Sequence, residues 1–526
     1  MSRYIMAVDG GTESTRVGIF DFQGRLVSQA SRCYKTTFAR SGWAEQNPED
    51  WWTSLIAAAR TAVNAGSVPA DQIAAICTDA TTCTLVAVDR SGRHLRPALL
   101  WMDVRAADQA RRIFETGHPA LCYSTSGLNA EWMLPKVLWL KENEPQVFAR
   151  TATFLEYQDW LTYRLTGRLV LNRCTSTHRW FYNTRGWRNP GSPTVQHESI
   201  PGPWPTDLWR TLDLEDLAGK VPEEVLPAAG PVGSLTAGAA EDFGLSPSTP
   251  VFQGAGDAFA ALPGLGVTEP GAIALIAGSS NVVAGYTDRE VHGPGILGAF
   301  PDVLIPGLWL MEGGQASTGS ILAWFKRNFA LDLSENTAYE HLSAEAAKIP
   351  PGSGGLVAVD SFQGNRTPYS DSMARGAVWG LSLNTSRAQL FRSLIEGIAY
   401  GTRHVLETMA GMGMRFDGIR ACGGATKSDL YMQIMTDVCG IPISLTEVPE
   451  ASLLGCAALA AVGLGIYADL STASREMVRV SRTFEPDREA HQIYRLYFEL
   501  YKETYPRLRK LMHQMARHLG DTAAPK

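Results

Sequence analysis

The 526-residue chain has eight cysteines but no Cys-x-x-Cys pair, which argues against a zinc ribbon or finger. Several cysteines sit inside apolar runs, as in "AAICTDATTCTLVAVD" and "LLGCAALAAVG", where a reduced thiol serves as a small core side chain. No window approaches the ~18 uninterrupted apolar residues of a membrane-spanning helix. The apolar stretch in "MSRYIMAV" is too short for a secretory signal, so a cytoplasmic location is expected. Lys/Arg runs are missing and the net charge is -6, so no electrostatic footprint for nucleic acid exists. Also missing are the strand, G-x-G-x-x-G and helix of a dinucleotide fold and the G-x-x-x-x-G-K-[ST] of a P-loop.

What is present is a large apolar inventory, 45% of residues against 19% charged, enough for more than one core and for two domains of roughly 250 residues. "YIMAVDGGTESTRVGIFDFQGRLVSQ" reads as consecutive hairpin strands around a Gly-rich tip. "PEDWWTSLIAAARTAVNAG" predicts a helix from Pro48 that ends before Gly66. "IAAICTDATTCTLVAVD" reads as a strand. Residues 131–163 read as two helices with an extended segment between them, and 184–203, rich in Gly, Pro and Asn, as a surface loop. Spacing predicts a long amphipathic helix over 386–409. "FDGIRACGGATKSDLYMQIMTDVCGIPI" gives strand, Gly-Gly turn and helix, and "EASLLGCAALAAVGLG" a close-packing helix. The last helix is expected to break or kink at Pro506.

The opening pattern returns in "PGAIALIAGSSNVVAGYTD", about half a chain later. Two copies of strand, small-residue turn and strand suggest a duplicated fold with a cleft between the halves; two unrelated hairpins are the alternative. A triphosphate held in such a cleft needs backbone N–H groups unobstructed by side chains, which Gly10, Gly11 and Thr12 could present from one side and Gly278, Ser279 and Ser280 from the other. Asp9, at the strand end, is placed to hold Mg²⁺ through water; a tight turn alone is the other reading. Thr12 and Arg16 are candidates for phosphate support, with a surface ion pair as the alternative for Arg16. "TPVFQGAGDAFAALPGLG" sets Asp257 in a Gly/Ala-lined turn where the halves would meet, open to a hydroxyl substrate or capping a helix.

"DGGTESTRVGIFD", "GWAEQNPEDWW", "LLWMDVRA", "KVLWLKEN", "GAGDAFAALPGLG", "GAVWGLSLNTSRAQLFRSLIEG" and "CGGATKSDLYMQIMTDVCGIPI" occur in that order. Together, over about residues 4–500, they resemble the FGGY family of carbohydrate kinases. The resemblance implies an α/β protein of two actin-like, ribonuclease-H-like domains, at 1–254 and 255–500, with a helical tail at 501–526 and an interdomain cleft for ATP and sugar. It implies Asp257 as catalytic base and Asp9 as the metal-associated carboxylate. The first phosphate loop would hold Gly10, Gly11, Thr12, Glu13, Ser14 and Arg16, and the second Gly278, Ser279 and Ser280. Gly423, Gly424 and Ala425 would border adenine and ribose. ATP and Mg²⁺ are the expected cofactors, a small sugar the expected partner, and a homodimer the family analogy.

For the sugar, Asp257-Ala258, the segment "DSFQGNRTPYSD" and the Asp-x-Thr of "DATTCT" resemble ribulose kinases. A pentulose such as ribulose is favoured. Xylulose or a four- or five-carbon polyol such as erythritol or ribitol is the alternative, and an actin-like ATPase the rival from another class. Thr81, Thr82, Cys83, Trp101, Asp103 and Ala258 are the candidate sugar contacts, since a polyol needs fixed polar groups and an apolar wall. A core role is the alternative for Trp101, and an ion pair with Arg105 or Arg111 for Asp103. Trp43 and Gln46 read as helix-start packing, with contact to the sugar as the alternative.

Overall fold

The computed structural model describes residues 3–189, 192–196 and 202–523. The first strand, β1 (Tyr4–Gly10), buries every residue after Tyr4. Such a run suits a central strand with neighbours on both edges. It pairs antiparallel with β2 (Ser14–Asp21), which pairs with β3 (Leu26–Cys33). Its other edge runs parallel to β4 (Ile73–Ala80). With β5 (Pro231–Ser234) and β6 (Pro250–Gly256) the sheet order is β5-β6-β4-β1-β2-β3. Helix α1 (Pro48–Ala65) covers β2 and β3; Asn47 caps it and Pro48 opens it, where a missing N–H costs nothing.

The second half repeats the scheme. Strands β7 (Gly271–Ala277) and β8 (Asn281–Thr287) form the returning hairpin, extended antiparallel by β9 (Leu297–Pro301) and β10 (Trp309–Gln315). On the other edge lie β11 (Phe416–Cys422), β12 (Ile443–Thr446) and β13 (Val480–Phe484), giving β9-β10-β8-β7-β11-β12-β13. Each lobe thus has a three-stranded antiparallel meander joined to two further strands in parallel, the duplication expected from the two hairpins.

In each lobe the fifth strand of this scheme leads into a helix: α3 (Asp257–Gly264) after β6, and, later in the chain, α7 (Ala451–Gly463) after β12. These two helices cross at Gly264 and Gly455. A Cβ on Gly264 would lie 1.9 Å from the Ala451 carbonyl oxygen, and one on Gly455 1.7 Å from that of Ala260, so the crossing is backbone against backbone. Helix α7 also rests on β1, β4 and β6, so it spans from the second lobe to the first.

Several details differ from the sequence reading. "IAAICTDATTCTLVAVD" is two strands in two sheets, β4 and Leu85–Val88, broken by a turn in which Cys83 takes a left-handed backbone, φ 61°. Residues 131–163 hold three helices, Met133–Asn143, Pro145–Arg150 and one starting at Tyr157, around the strand Thr153–Glu156. The 184–203 segment includes a short hairpin, Arg188–Asn189 with Ser192–Gln196, and a buried Trp187; 190–191 and 197–201 lie outside the described residues. The final helix, Arg488–Ala523, continues through Pro506. Its Tyr494, Phe498, Tyr501 and Tyr505 are buried in the second lobe's core, so position 501 begins no separate tail, and the division at 254/255 falls within β6. Among the described residues no helix is long and apolar enough to cross a membrane, and all eight cysteines are free.

Candidate active site

The first hairpin tip places Asp9 at the end of β1, fully buried. Arg16 lies opposite it in the β1–β2 register and pairs through Nη2 with Asp9 Oδ2 at 2.6 Å. Its partner is thus a buried acid at the site, which corrects the surface-pair alternative. Ser452 Oγ, from α7, donates to the same oxygen at 2.9 Å, and Asp9 Oδ1 is left without a partner. Arg16 is held above its usual range by Asp9 and further by Asp79, Asp257 and Glu450, a measure of the negative charge gathered here.

The turn itself is backed by aromatic side chains: the Tyr34 hydroxyl donates to the Gly11 carbonyl, and the Tyr157 ring lies under Gly10. Gly11 N donates to Ser14 O at 3.0 Å and closes the turn. Thr12 is fixed by Gln46 Nε2, which donates to its carbonyl at 2.7 Å, and by Trp101 Nε1, which donates to its hydroxyl at 2.9 Å. Trp101 and Thr12, expected to serve different ligands, therefore touch each other.

In the second tip, Gly278 N donates to Ser280 O at 3.0 Å. The Gly278 and Ser279 carbonyls accept from Gly319 N and Thr318 N at the start of α4 (Gly319–Phe329), at 3.1 and 2.8 Å. Both residues line a cleft of about 1480 Å³, opposite Gly424, Ala425 and Lys427, and Glu13 of the first tip reaches the same space. Gly423, φ 101°, precedes that wall with its Cα against the Ala277 carbonyl, 2.4 Å from an imagined Cβ. Glu13, Gly278, Ser279, Gly424 and Ala425 thus share one cleft, whose lining does not include Gly10, Gly11, Thr12, Ser280 or Gly423.

Asp257 opens α3 at the seam of the lobes, and its Oδ1 accepts from Ala258 N at 2.8 Å. Burial, then the charge of Asp9, pushes its carboxyl up to about 7. Thr82 packs against Gly256, one residue before Asp257. Thr81 N donates to Gly10 O, and its hydroxyl meets that of Thr84 at 3.1 Å.

Asp103 is corrected by the structure. It is fully buried; Oδ1 accepts from Arg105 N and Nε, and Oδ2 from Ala44 N and Arg105 Nη2. Both oxygens are therefore committed to bracing the turn after Trp101. Arg105 in turn lies over the Trp43 ring at 3.7 Å. Cys83 is buried as well, its thiol pushed up to about 12 by burial. Its backbone carries the local work: its N–H donates to Glu156 Oε2 at 2.8 Å and its carbonyl accepts from the buried Lys136.

Four further side chains belong here that sequence reasoning did not assign to the site, Asp79 having entered it only as the Asp of "DATTCT". Asp79 faces Asp9 across β1 and β4 as its register partner. It is fully buried, accepts from the Cys456 thiol on α7 at 3.1 Å, and is held well above the carboxylate range by burial and by Asp9. Arg179, at the end of α2 (Arg173–Arg179) in the first lobe, donates to Glu312 of β10 in the second at 2.8 Å, with both side chains buried. Glu312 is close enough to raise the Asp257 carboxyl further. Beside Arg179, His178 stacks on Phe259 of α3 at 3.8 Å and stays neutral, burial pushing it well below its usual value.

Duplicated ribonuclease-H-like lobes, opposed small-residue turns over a shared cleft, and one poised carboxyl at the seam define the actin-like, two-lobed phosphotransferases. The chain belongs to the FGGY family of carbohydrate kinases: the family's N-terminal domain matches residues 4–187 and its C-terminal domain 273–464. It is 31% identical to an FGGY carbohydrate kinase domain-containing protein of Xenopus laevis, over 95% of both chains. It is 30% identical to a ribulokinase of Shouchella clausii, over 96% of this chain and 95% of that one. The solved xylulose kinase of Rhodospirillum rubrum superposes with a TM-score of 0.83 at 27% identity, covering 97% of this chain and 100% of that one. The protein is an ATP-dependent sugar kinase.

Proposed function

We propose that the sugar is a pentulose such as ribulose and that Asp257 is the base that accepts the proton of the attacking hydroxyl. The observation that carries the reading is the position and poise of Asp257: at the seam of the lobes, with a carboxyl that titrates near neutrality, as general bases working at physiological pH do. The Asp257-Ala258 pair supports ribulose over xylulose, in a chain whose relatives include both a ribulokinase and a xylulose kinase.

Phosphoryl transfer needs alignment and charge neutralisation more than covalent chemistry from the protein. Amide groups of the Gly10–Glu13 and Gly278–Ser280 turns would face the phosphates, with Gly424 and Ala425 bordering the base and ribose. Asp9 fits Mg²⁺: Oδ2 is occupied by Arg16 and Ser452, while Oδ1 is a buried acceptor without a partner. That ion keeps several waters and takes one or two carboxylates besides phosphate oxygens; when bound it would offset charge on the phosphates. Thr82, Trp101 and Ala258 would wall the sugar, with Arg179 and Glu312 as its polar contacts; Asp103 is left out because both its oxygens are committed.

A panel of ketoses and polyols tested for ADP release with MgATP decides the matter. Turnover should depend on sugar, be highest with a ketopentose of the ribulose type, and fall by about 10²–10⁴ in Asp257→Ala. ATP hydrolysis that ignores the sugar and survives the substitution would overturn the reading. A strong preference for xylulose would overturn the choice of ribulose alone.

A further inference from the structure

We propose that Asp79 shares the cation seat with Asp9, and that Ser452 and Cys456 of α7 are the positioning residues that orient the two carboxylates. The inference rests on the reading of Asp9 as the metal-associated carboxylate.

Asp9 and Asp79 are register partners on adjacent parallel strands. In a parallel pair such partners leave the same face of the sheet at the same level. Helix α7 lies against those strands, and it meets the two acids in the same way. Ser452 and Cys456 are one helical turn apart, hence on one side of α7. Ser452 Oγ donates to Asp9 Oδ2 at 2.9 Å and Cys456 Sγ to Asp79 Oδ2 at 3.1 Å. Each acid is fully buried, and in each Oδ1 has no partner. One oxygen of each carboxylate is therefore pinned from α7 and the other left free.

Two unpartnered buried acceptors side by side cost about 1–3 kcal/mol each, and native folds seldom leave one without a function or a ligand to answer it. A role confined to tying α7 to β4 does not account for Asp79. A thiol is a weak donor, and such a tie leaves Asp79 Oδ1 bare. A hydrated divalent cation, which accepts one or two protein carboxylates, answers both free oxygens at once.

Mn²⁺ binding to the whole protein in the presence of ADP, followed by the electron paramagnetic resonance signal of free Mn²⁺, tests this without reading activity. Asp79→Asn should weaken Mn²⁺ binding by about tenfold or more while its circular dichroism spectrum stays that of the wild type. Mn²⁺ bound as tightly as by the wild type overturns the proposal. Should Asp79→Asn not fold, Ser452→Ala and Cys456→Ala decide, because both leave the carboxylates in place. Weaker Mn²⁺ binding, restored in Ser452→Thr, supports the positioning role; unchanged binding in both overturns it. Asp9→Asn separates the two readings. An effect there with none at Asp79 sinks this inference alone, whereas no effect at either removes the seat itself.

Discussion

At the tip of β1–β2 the buried polar group is an acid, Asp9, balanced by Arg16. At the matching tip of β7–β8 it is an amide, Asn281, whose Oδ1 accepts from Thr318 at 3.0 Å and whose Nδ2 donates to Gln315 and Thr402 at 3.2 and 3.3 Å. In both a glycine N–H closes the turn onto a serine carbonyl, three residues on in the first and two in the second. The chemistry differs. A duplicated scaffold has kept its turn in both lobes and concentrated ionisable groups in one. The first lobe gathers Asp9, Asp79 and Arg16 next to Asp257, while the second holds its turn with a neutral network that needs no counter-charge. A neutral network adds little field of its own, so the charge at the two tips themselves comes from the first, with Glu312 adding to it from farther along the second lobe.

The largest effect expected is at the charged side. Asp257→Asn should lower kcat by about 10²–10⁴ and at the same time raise the melting temperature at neutral and alkaline pH. The folded state holds the Asp257 proton up to about 7, the unfolded chain only to about 3.9. The stability linked to that proton is complete below the unfolded value and is lost as pH rises through about 7. The amide, which cannot ionise, escapes that loss. Melting curves should therefore coincide in acid and separate toward pH 8, and wild-type kcat/KM should rise through the same interval as the base ionises.

Next comes an exchange that erases the contrast. Asn281→Asp would bury an acid at the second tip with no arginine to meet it, at about 3–5 kcal/mol, seen as a lower denaturant midpoint. A variant as stable as the wild type would mean that the neutral network tolerates charge and that the asymmetry of the tips has no energetic basis. The smallest effect belongs to Arg16→Gln. Because 46% of the Arg16 side chain is exposed, solvent already screens the pair, and the loss should be about 1–3 kcal/mol, with a raised KM for MgATP and little change in the KM for sugar.

What could be read from the chain was local. Both hairpins, α1 with Pro48 at its start, and the turn holding Asp257 follow from patterns a few residues long. The 386–409 helix does too: it runs Arg387–Gly411 with Ser386 as its cap. Asp79 was legible as the Asp of "DATTCT", but its place beside Asp9 comes only from the β1–β4 register, which joins residues 70 apart. Arg179 and Glu312, 133 apart, meet only because the lobes face each other. Asp103 carried a legible alternative in Arg105, two residues on, and the structure takes it. The break between β4 and the next strand was hidden because Cys83, not glycine or asparagine, occupies the left-handed position. Pro506 fails to stop the last helix because the aromatic side chains before it, from Tyr494 to Tyr505, anchor that helix in the second lobe, and one lost N–H does not outweigh their burial.

The crossing of α3 and α7 carries a mechanical consequence. With no side chains between Gly264 and Gly455, nothing interlocks at that point, and the two helices meet as a smooth bearing. A swing of one lobe against the other about this point would drag Asp257, at one end of the first axle, and Ser452, at the corresponding end of the second, through linked arcs. Any alteration that roughens the bearing, beginning with Gly455→Ala, would therefore be felt at Asp257 and at Asp9 together.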